Sequence, residues 1–301
     1  MTVPLIVICG ATATGKSDLA VALAEKLDGE IINADSMQLY KGMDIGTAKL
    51  TLNERHGIPH HLINRLEVTE EASVAQYQTE ARAMIDSATK PMIIVGGTGL
   101  YIKSIIDELT FPDTDPEVRA RLLAEGERIG NEVMHERLAK LDPAAAQAIP
   151  QENLRRVVRA LEVIELTGRP FTANLPRAGA MRYPQVMQFG LAIEREQLMQ
   201  RIEERVARMW QGGLVEETAG LITKGLKNGR TARAALGYAQ VIRFLDGEIN
   251  ESAAIEETMS ATRAYAKRQD TWFTKDSRIE WLHELSLEER ISAIQLRLGS
   301  R

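Results

Sequence analysis

The residues with the clearest chemistry lie near the N-terminus, where positions 10–17 read Gly-Ala-Thr-Ala-Thr-Gly-Lys-Ser. This is the full G-x-x-x-x-G-K-[ST] pattern of a phosphate-binding loop. In such a loop, backbone N–H groups face anionic oxygens, Lys16 adds a positive charge, and the Ser17 hydroxyl can hold Mg²⁺ at the start of the next helix. The alternative is a glycine-rich turn with an exposed lysine, but an apolar run before the loop and a helical pattern after it favour a phosphate site. The predicted site consists of Gly10, Ala11, Thr12, Ala13, Thr14, Gly15, Lys16 and Ser17.

A carboxylate, Asp35, follows the second predicted strand. Ligands of open parallel sheets bind just beyond the carboxyl ends of the strands, where Asp35 is expected to lie. An NTPase normally carries an aspartate after a neighbouring strand, but here Met92–Val95 leads into Gly96-Gly97-Thr98. Asp35 is therefore a candidate general base or metal partner. The alternative is an aspartate that caps the following turn.

The elements that must position these groups alternate between strands and helices. Helical periodicity spans Ser17–Leu27 and residues 73–89, and the apolar runs predict strands at Val3–Cys9, Glu30–Ala34 and Met92–Val95. This alternation predicts an α/β fold, in which a parallel sheet is flanked by helices.

The pattern changes from Pro112 to about Pro184, where helix-forming residues dominate and strand signals are almost absent. A strand then follows at Gln188–Ile193. The remaining predicted elements are helices at about 195–210, 214–224 and 252–271, a strand near Ile279–Leu282, and a last helix with a capping box of Ser286 and Glu289. We therefore predict a catalytic core of residues 1–111 and 185–301, with an all-helical insertion at residues 112–184.

Composition sets broader limits. The 301 residues are 44% hydrophobic, which suffices for one large or two smaller domains. The chain has 37 basic and 42 acidic side chains, so its net charge does not attract nucleic acid and any such contact has to be local.

The single cysteine, Cys9, excludes disulfides and cysteine-based zinc sites. No apolar stretch approaches the roughly eighteen residues of a membrane span, so we expect a cytoplasmic protein without membrane contact, and a monomer by default.

Several further motifs resemble signatures of the tRNA dimethylallyltransferase family, also called the tRNA isopentenyltransferase or IPP transferase family. They occur in the family's order and cover most of the chain. The matching segments are Asp35–Tyr40, Asp44–Lys49, Ile58–Leu62, Gly96–Tyr101, Arg155–Glu162 and Ala266–Gln269. The chain departs from the family at Leu50, Asn64 and Thr274, where Pro, Asp and Arg are usual; Thr274 predicts one weaker phosphate contact.

The resemblance implies a P-loop core and the transfer of a dimethylallyl group from dimethylallyl diphosphate to N6 of adenine-37 in tRNA. The diphosphate would occupy the phosphate loop, with Mg²⁺ on Ser17 neutralising the departing pyrophosphate. Arg201 and Arg205, one turn apart on the helix after Gln188–Ile193, could clamp the same group bidentately, and the resemblance favours Arg205. Asp35 would take the proton of the adenine amine. Thr98 would lie near the leaving group; the alternative is a threonine that only shapes the turn.

The implied partner is the anticodon loop of tRNA, whose target base must leave the stack to be modified. Ser36, Met37 and Gln38 adjoin Asp35 and are candidates to hold that base, together with Asp35 itself and Thr98. The insertion supplies candidate phosphate contacts at Arg119, Arg121, Arg155, Arg156 and Arg159. Singly, each of these arginines is also explained as a solvated helix charge, and only the Arg155–Arg159 cluster, which matches the family, is favoured as a tRNA contact. His60 and His61 are interpreted as structural, because no metal-ligand spacing surrounds them.

Two alternatives remain from the sequence. A small-molecule or nucleotide kinase would use ATP in the loop, have a pocket for the nucleotide base and release ADP. A nucleotide-dependent RNA-binding switch would show no turnover.

Overall fold

The computed structural model describes residues 3–174, 180–283 and 285–299. The chain forms two compact units. The first consists of Met1–Ile106 and Tyr183–Arg301, and the second of Asp107–Arg182. The predicted boundaries at residues 112 and 184 differ from these by a few positions.

One parallel sheet organises the first unit. Its strands are β1 (Leu5–Gly10), β2 (Glu30–Asn33), β3 (His60–His61), β4 (Met92–Val95), β5 (Met187–Ala192) and β6 (Ile279–His283). They pair in the order β3-β2-β4-β1-β5-β6, and every neighbouring pair is parallel. All six residues of β1 are buried, as expected for a central strand covered on both faces. The predicted α/β class with a parallel sheet is confirmed.

The helices surround this sheet and build the second unit. In chain order they are α1 (Lys16–Leu27), α2 (Val74–Asp86), α3 (Gly99–Ile106), α4 (Pro116–Ile129), α5 (Asn131–Leu141), α6 (Pro143–Ala148), α7 (Leu154–Thr167), α8 (Arg195–Gln211), α9 (Leu214–Thr223), α10 (Tyr238–Leu245), α11 (Glu251–Phe273) and α12 (Leu287–Gly299). The predicted capping box of α12 is confirmed, because Ser286 N–H donates to Glu289 at 2.7 Å and Glu289 N–H donates to Ser286 Oγ at 3.3 Å.

Two apolar clusters fix the helices around the site. Both are made of side chains that are almost completely removed from solvent, which supplies the main driving force for packing. The first joins β1 and its neighbours to α1 and α12, through Ile6, Ile8, Leu19, Leu23, Ile291 and Ile294. The second lies around α9 and α10, and includes Tyr40, Met43, Leu214 and Tyr238.

The second unit is helical, and α4 to α7 enclose its own core. Leu122, Met134, Leu138 and Leu161 are buried there. Among its described residues the structure has no β-strand beyond one isolated bridge, Asp107 to Met181. None of the helices in the described ranges is both long and apolar enough to span a membrane.

One strand and two α-helices of the first unit were not predicted. Strand β3 has two residues, which is below the length at which alternation becomes visible. Helices α3 and α10 each have eight residues, which is shorter than the window of about 11 residues over which helical periodicity becomes clear.

Candidate active site

Three loops meet at the carboxyl edge of the sheet and form the site. The phosphate loop follows β1, Asp35 lies just after β2, and Gly96-Gly97-Thr98 follows β4. Since β2, β4 and β1 are adjacent in the sheet, their parallel direction brings the three loops together.

The phosphate loop has backbone geometry that requires its small residues. A Cβ at Gly10 would lie 2.6 Å from the carbonyl oxygen of Leu191, and φ is +134°. Ala13 and Gly15 also have positive φ values, of 63° and 87°. The first turn of α1 has no side-chain cap, so its N–H groups are open to an anion, which the positive end of the helix dipole attracts.

Lys16 lies against this loop and is half-buried. Its Nζ donates a hydrogen bond to the Ala11 carbonyl. Burial lowers the pKa of Lys16 to about 8; the nearby Arg205 guanidinium acts in the same direction, and the Asp35 carboxylate opposes it. A bound anion would favour the charged ammonium.

Asp35 has a capping role and also faces a cavity. Its Oδ1 accepts a hydrogen bond at 2.9 Å from the N–H of Met37, at the start of the 3₁₀ helix Ser36–Leu39. Within the described ranges, no hydrogen bond reaches its other carboxylate oxygen. The capping alternative is therefore observed, and it leaves one oxygen of Asp35 available for proton transfer.

Two neighbouring cavities open beside these groups. The first has a volume of about 300 Å³ and is lined by Asp35, Ser36 and Met37, with apolar side chains from α8. The second has a volume of about 560 Å³ and is lined by Lys16 and Ser17. The first is suited to a partly apolar group and the second to an anion.

Arg205 of α8 lines both cavities. Its Nη2 donates to the carbonyl of Thr47 at 3.3 Å, which orients the side chain. Burial lowers the pKa of Arg205, and the Asp35 carboxylate partly offsets this effect. Arg201, the other predicted clamp residue, is exposed and lines only the second cavity.

Helix α11 contributes residues that the sequence interpretation missed. Thr258, Thr262 and Gln269 are buried polar side chains, and Tyr265 lines the first cavity with the two threonines. Burial and the nearby Asp35 carboxylate raise the pKa of Tyr265 to about 12. The signal was present in the sequence, because polar residues at spacings of four, three and four occupy one face of a helix.

Gln269 connects two of the three loops. Its Oε1 accepts a hydrogen bond from Thr12 N–H at 2.8 Å, and its Nε2 donates to the Gly97 carbonyl at 2.9 Å. A Cβ at Gly97 would lie 2.0 Å from Gln269 Nε2, so this glycine permits the contact. The buried amide thus fixes the phosphate loop relative to the loop after β4.

Replacing Gln269 with methionine is expected to lower the free energy of unfolding by about 2 kcal/mol, because buried hydrogen-bonding groups on both loops lose their partner. Affinity for inorganic pyrophosphate should fall in the same variant. Chemical denaturation and calorimetric titration measure the two effects. Gln200→Met, which removes one exposed contact to Glu204, is the matched control. Equal stability of the two variants would contradict this role.

A glutamate of α9, Glu217, fixes the loop that carries Thr47 through hydrogen bonds. The Glu217 carboxylate accepts hydrogen bonds from the backbone N–H groups of residues 44–46, and Tyr238 Oη donates to it at 2.5 Å. Lys49 is buried and donates to Asp44 at 2.5 Å and to Asn64 Oδ1 at 2.6 Å. Asn64, at a position where the family usually has Asp, therefore still serves as an acceptor for Lys49.

The remaining predicted site residues fall in different places. Gln38 Nε2 donates to the Thr47 carbonyl at 3.2 Å, which is a structural contact. Thr98 Oγ1 accepts from Ser36 N–H at 3.3 Å, and the residue lines neither of the two cavities. Thr274 is exposed and donates to the Asp270 carbonyl at 2.8 Å.

The predicted arginines of the helical unit differ in their partners. Arg119 and Arg159 pair with the buried Glu162 at 2.9 and 3.0 Å, and Arg121 pairs with Glu165. Arg155 and Arg156 are exposed, and no ion pair involves them within the part of the chain that the structure describes. These last two side chains are the ones available to an external phosphate.

A parallel sheet whose first strand leads into a phosphate loop defines an α/β protein of the P-loop type. The model of the IPP transferase family matches residues 38–276, and the chain belongs to this family. A tRNA dimethylallyltransferase from Thermobifida fusca (strain YX) is 57% identical over 286 residues, covering 92% of this chain and 89% of the relative. The family and the prenyltransferase class predicted from the motifs are confirmed.

Solved structures agree with this assignment. The full-length tRNA isopentenylpyrophosphate transferase from Bacillus halodurans is 37% identical, with a TM-score of 0.71 over 99% of this chain and 96% of that one. A eukaryotic dimethylallyltransferase acting on tRNA is 29% identical, with a TM-score of 0.83 over 98% of this chain and 77% of that one.

Proposed function

We propose that this chain transfers the dimethylallyl group of dimethylallyl diphosphate to N6 of adenine-37 in tRNA and releases pyrophosphate. The observation that carries the proposal is the position of Arg205. It borders both the cavity that contains Lys16 and the cavity that contains Asp35. A leaving group and an acceptor bound in these two cavities would meet beside the same guanidinium.

The diphosphate binds in the cavity of the phosphate loop. Negative charge grows on its bridging oxygen as the bond to the allylic carbon breaks. Lys16, Arg205 and the N–H groups at the start of α1 are positioned to stabilise that charge, and burial strengthens their effect by excluding water.

The acceptor adenine binds in the cavity of Asp35. Its exocyclic amine is a poor nucleophile, because the lone pair is delocalised into the ring. The new bond joins N6 to the allylic carbon while the carbon–oxygen bond to the diphosphate breaks. Asp35 takes the N6 proton through the carboxylate oxygen that its capping contact leaves available.

Mg²⁺ is proposed as the cofactor. Among the described residues no group of three or more His, Cys, Asp or Glu could hold a metal ion. The proposed ion would be held mainly by substrate phosphates and water, with the Ser17 hydroxyl as a protein ligand, because Mg²⁺ usually keeps several of its waters and binds substrate phosphates. When bound, it would neutralise diphosphate charge.

The anticodon loop of tRNA is the proposed macromolecular partner. Ser36 and Met37 line the proposed acceptor cavity and would contact the extruded base. Arg155 and Arg156 are proposed to contact tRNA phosphates. Arg119 and Arg159 instead form ion pairs with the buried Glu162. A monomeric state and a cytoplasmic location remain predictions.

Replacing both Arg155 and Arg156 with methionine is expected to weaken tRNA binding and to flatten its dependence on salt, since each phosphate contact that is lost removes about one unit from the log–log slope. Binding of dimethylallyl diphosphate should not change. Titrations at several salt concentrations measure both effects, and Arg137→Met, which removes an arginine paired with Glu125, is the control. An unchanged slope would make Arg155 and Arg156 ordinary surface charges.

The specificity constant for the diphosphate donor is expected to fall as pH rises through about 8. Lys16 carries its charge below its lowered pKa and loses it above. Initial rates across this pH range test the expectation. In Lys16→Arg the charge persists, so the decline should move to higher pH. A wild-type profile that stays flat well above pH 8 would contradict this account of Lys16.

The proposed function is tested by incubating the protein with dimethylallyl diphosphate labelled in its allyl group, unmodified tRNA and Mg²⁺. We expect label in the RNA and one pyrophosphate released per transfer, without ATP. A parallel reaction with ATP separates the alternatives. Formation of ADP in step with turnover would support a kinase, and tRNA binding without any transfer would support a switch.

A further inference from the structure

Arg290 is a buried arginine outside the groups described so far. It lies on α12 and is only 9% exposed. Its Nε has no hydrogen-bond partner, and no carboxylate lies within 4.0 Å of its guanidinium, as far as the described residues extend. A buried guanidinium in this state lacks the acceptors that normally compensate it.

The Nη1 end of this guanidinium lies beside the phosphate loop, although Arg290 is not among the residues that line the second cavity. A Cβ built on Gly15 would lie 4.0 Å from Arg290 Nη1. Gly15 is the N-cap residue of α1, the helix whose first turn has no side-chain cap. The Asp18 carboxylate also lies 4.0 Å from that Cβ position, but Asp18 is exposed and makes no ion pair with Arg290.

A second arginine increases the local positive charge. Arg201 is close enough to lower the pKa of Arg290, after the larger effect of burial. Arg201 itself lines the cavity of the phosphate loop, and no ion pair involves it within the described ranges. A single bound anion would therefore stabilise both guanidinium groups and the uncapped N-terminus of α1.

We propose that Arg290 is a further diphosphate-binding residue, which donates to an oxygen of the terminal phosphate when the donor or pyrophosphate occupies the loop. The proposal rests on the function proposed above. It assigns part of the leaving-group site to the last helix of the chain. One anion would satisfy Arg290 and the open N–H groups of α1 together.

The test is calorimetric titration of the protein with inorganic pyrophosphate and Mg²⁺. Arg290→Met is expected to weaken binding about ten-fold or more, because a charge-assisted contact to a buried group is lost. Arg290→Lys should retain part of the affinity. In turnover, KM for dimethylallyl diphosphate should rise in Arg290→Met more than kcat falls. The control is Arg297→Met, which changes an exposed arginine of the same helix that pairs with Glu280.

The variant Lys16→Met distinguishes a failure of the role proposed for Arg290 from a failure of the proposed function. If Lys16→Met weakens pyrophosphate binding and Arg290→Met binds within two-fold of wild type, the role of Arg290 is overturned and the proposed function stands. If wild-type protein binds no pyrophosphate, both are overturned. Where Arg290→Met lowers the melting temperature, Arg290→Gln supplies the comparison, and wild-type affinity in a folded Gln variant overturns the proposal.

Discussion

Replacing Asp35 with asparagine is expected to lower the single-turnover rate of dimethylallyl transfer by roughly 10²–10⁴-fold, the range for loss of a general base. Asparagine can still accept the hydrogen bond from Met37 N–H, so the 3₁₀ helix Ser36–Leu39 keeps its cap. The amide cannot take the proton from N6. Affinity for the diphosphate donor should therefore stay close to wild type.

Asp35→Ala provides the comparison for the capping role. It removes both functions and should add a loss of about 1 kcal/mol in the free energy of unfolding, because the cap is also lost. Rapid-quench measurement of the transfer step and denaturant titration separate the two effects. A rate in Asp35→Asn that reaches half of the wild-type value would remove Asp35 from the proposed chemistry.

Removing positive charge from the leaving-group site should have the next largest effect. Lys16→Met and Arg205→Met are each expected to slow transfer by about 10²–10³-fold, comparable to the loss of one preorganised donor to a developing anion. Arg205 borders both cavities, so its loss should also weaken acceptor binding. Lys16→Met should affect mainly the donor.

Measurements of kcat and KM for each substrate distinguish these two patterns. Arg195→Met is the matched control, because Arg195 is an exposed arginine at the start of the same helix, α8, and lines neither cavity. Loss of activity in Arg195→Met equal to that in Arg205→Met would show that general charge on α8, rather than the position of Arg205, supports the reaction.

The sheet and its phosphate loop could be predicted because their signals are local. Strand β4 was predicted with its observed limits, and β1, β2 and β5 with limits that differ by one or two residues. Continuous apolar runs mark strands that are buried on both faces. The glycine and lysine pattern marks the loop between them independently of the rest of the chain.

The contacts around the site depend on residues far apart in sequence. Gln269 and Thr12 are 257 positions apart, and Glu217 meets the loop of residues 44–46 from about 170 positions away. Neither pairing has a local pattern. The polar face of α11 was visible as a spacing, but its partners follow only from the packing of that helix against the loops.

The arginines of the helical unit show a similar limit. Arg119, Arg155 and Arg159 are all basic residues of helices, and the sequence does not show which of them is already paired. Arg119 and Arg159 differ from Arg155 because they form ion pairs with Glu162, whose side chain is fully buried. A buried carboxylate has to be paired, whereas a solvated one does not, and sequence alone does not report burial.

In the proposed reaction, Asp35 takes the proton from N6 of adenine-37 in tRNA, while Lys16 and Arg205 stabilise the departing diphosphate. Its most direct test is mass spectrometry of nucleosides from tRNA treated with wild-type protein and unlabelled dimethylallyl diphosphate, with the modified position located by nuclease mapping. We expect one added C₅H₈ group on N6 of adenine-37 for wild type, and unmodified adenine after the same time with Asp35→Asn. An added group at another base, or equal modification by Asp35→Asn, would contradict it.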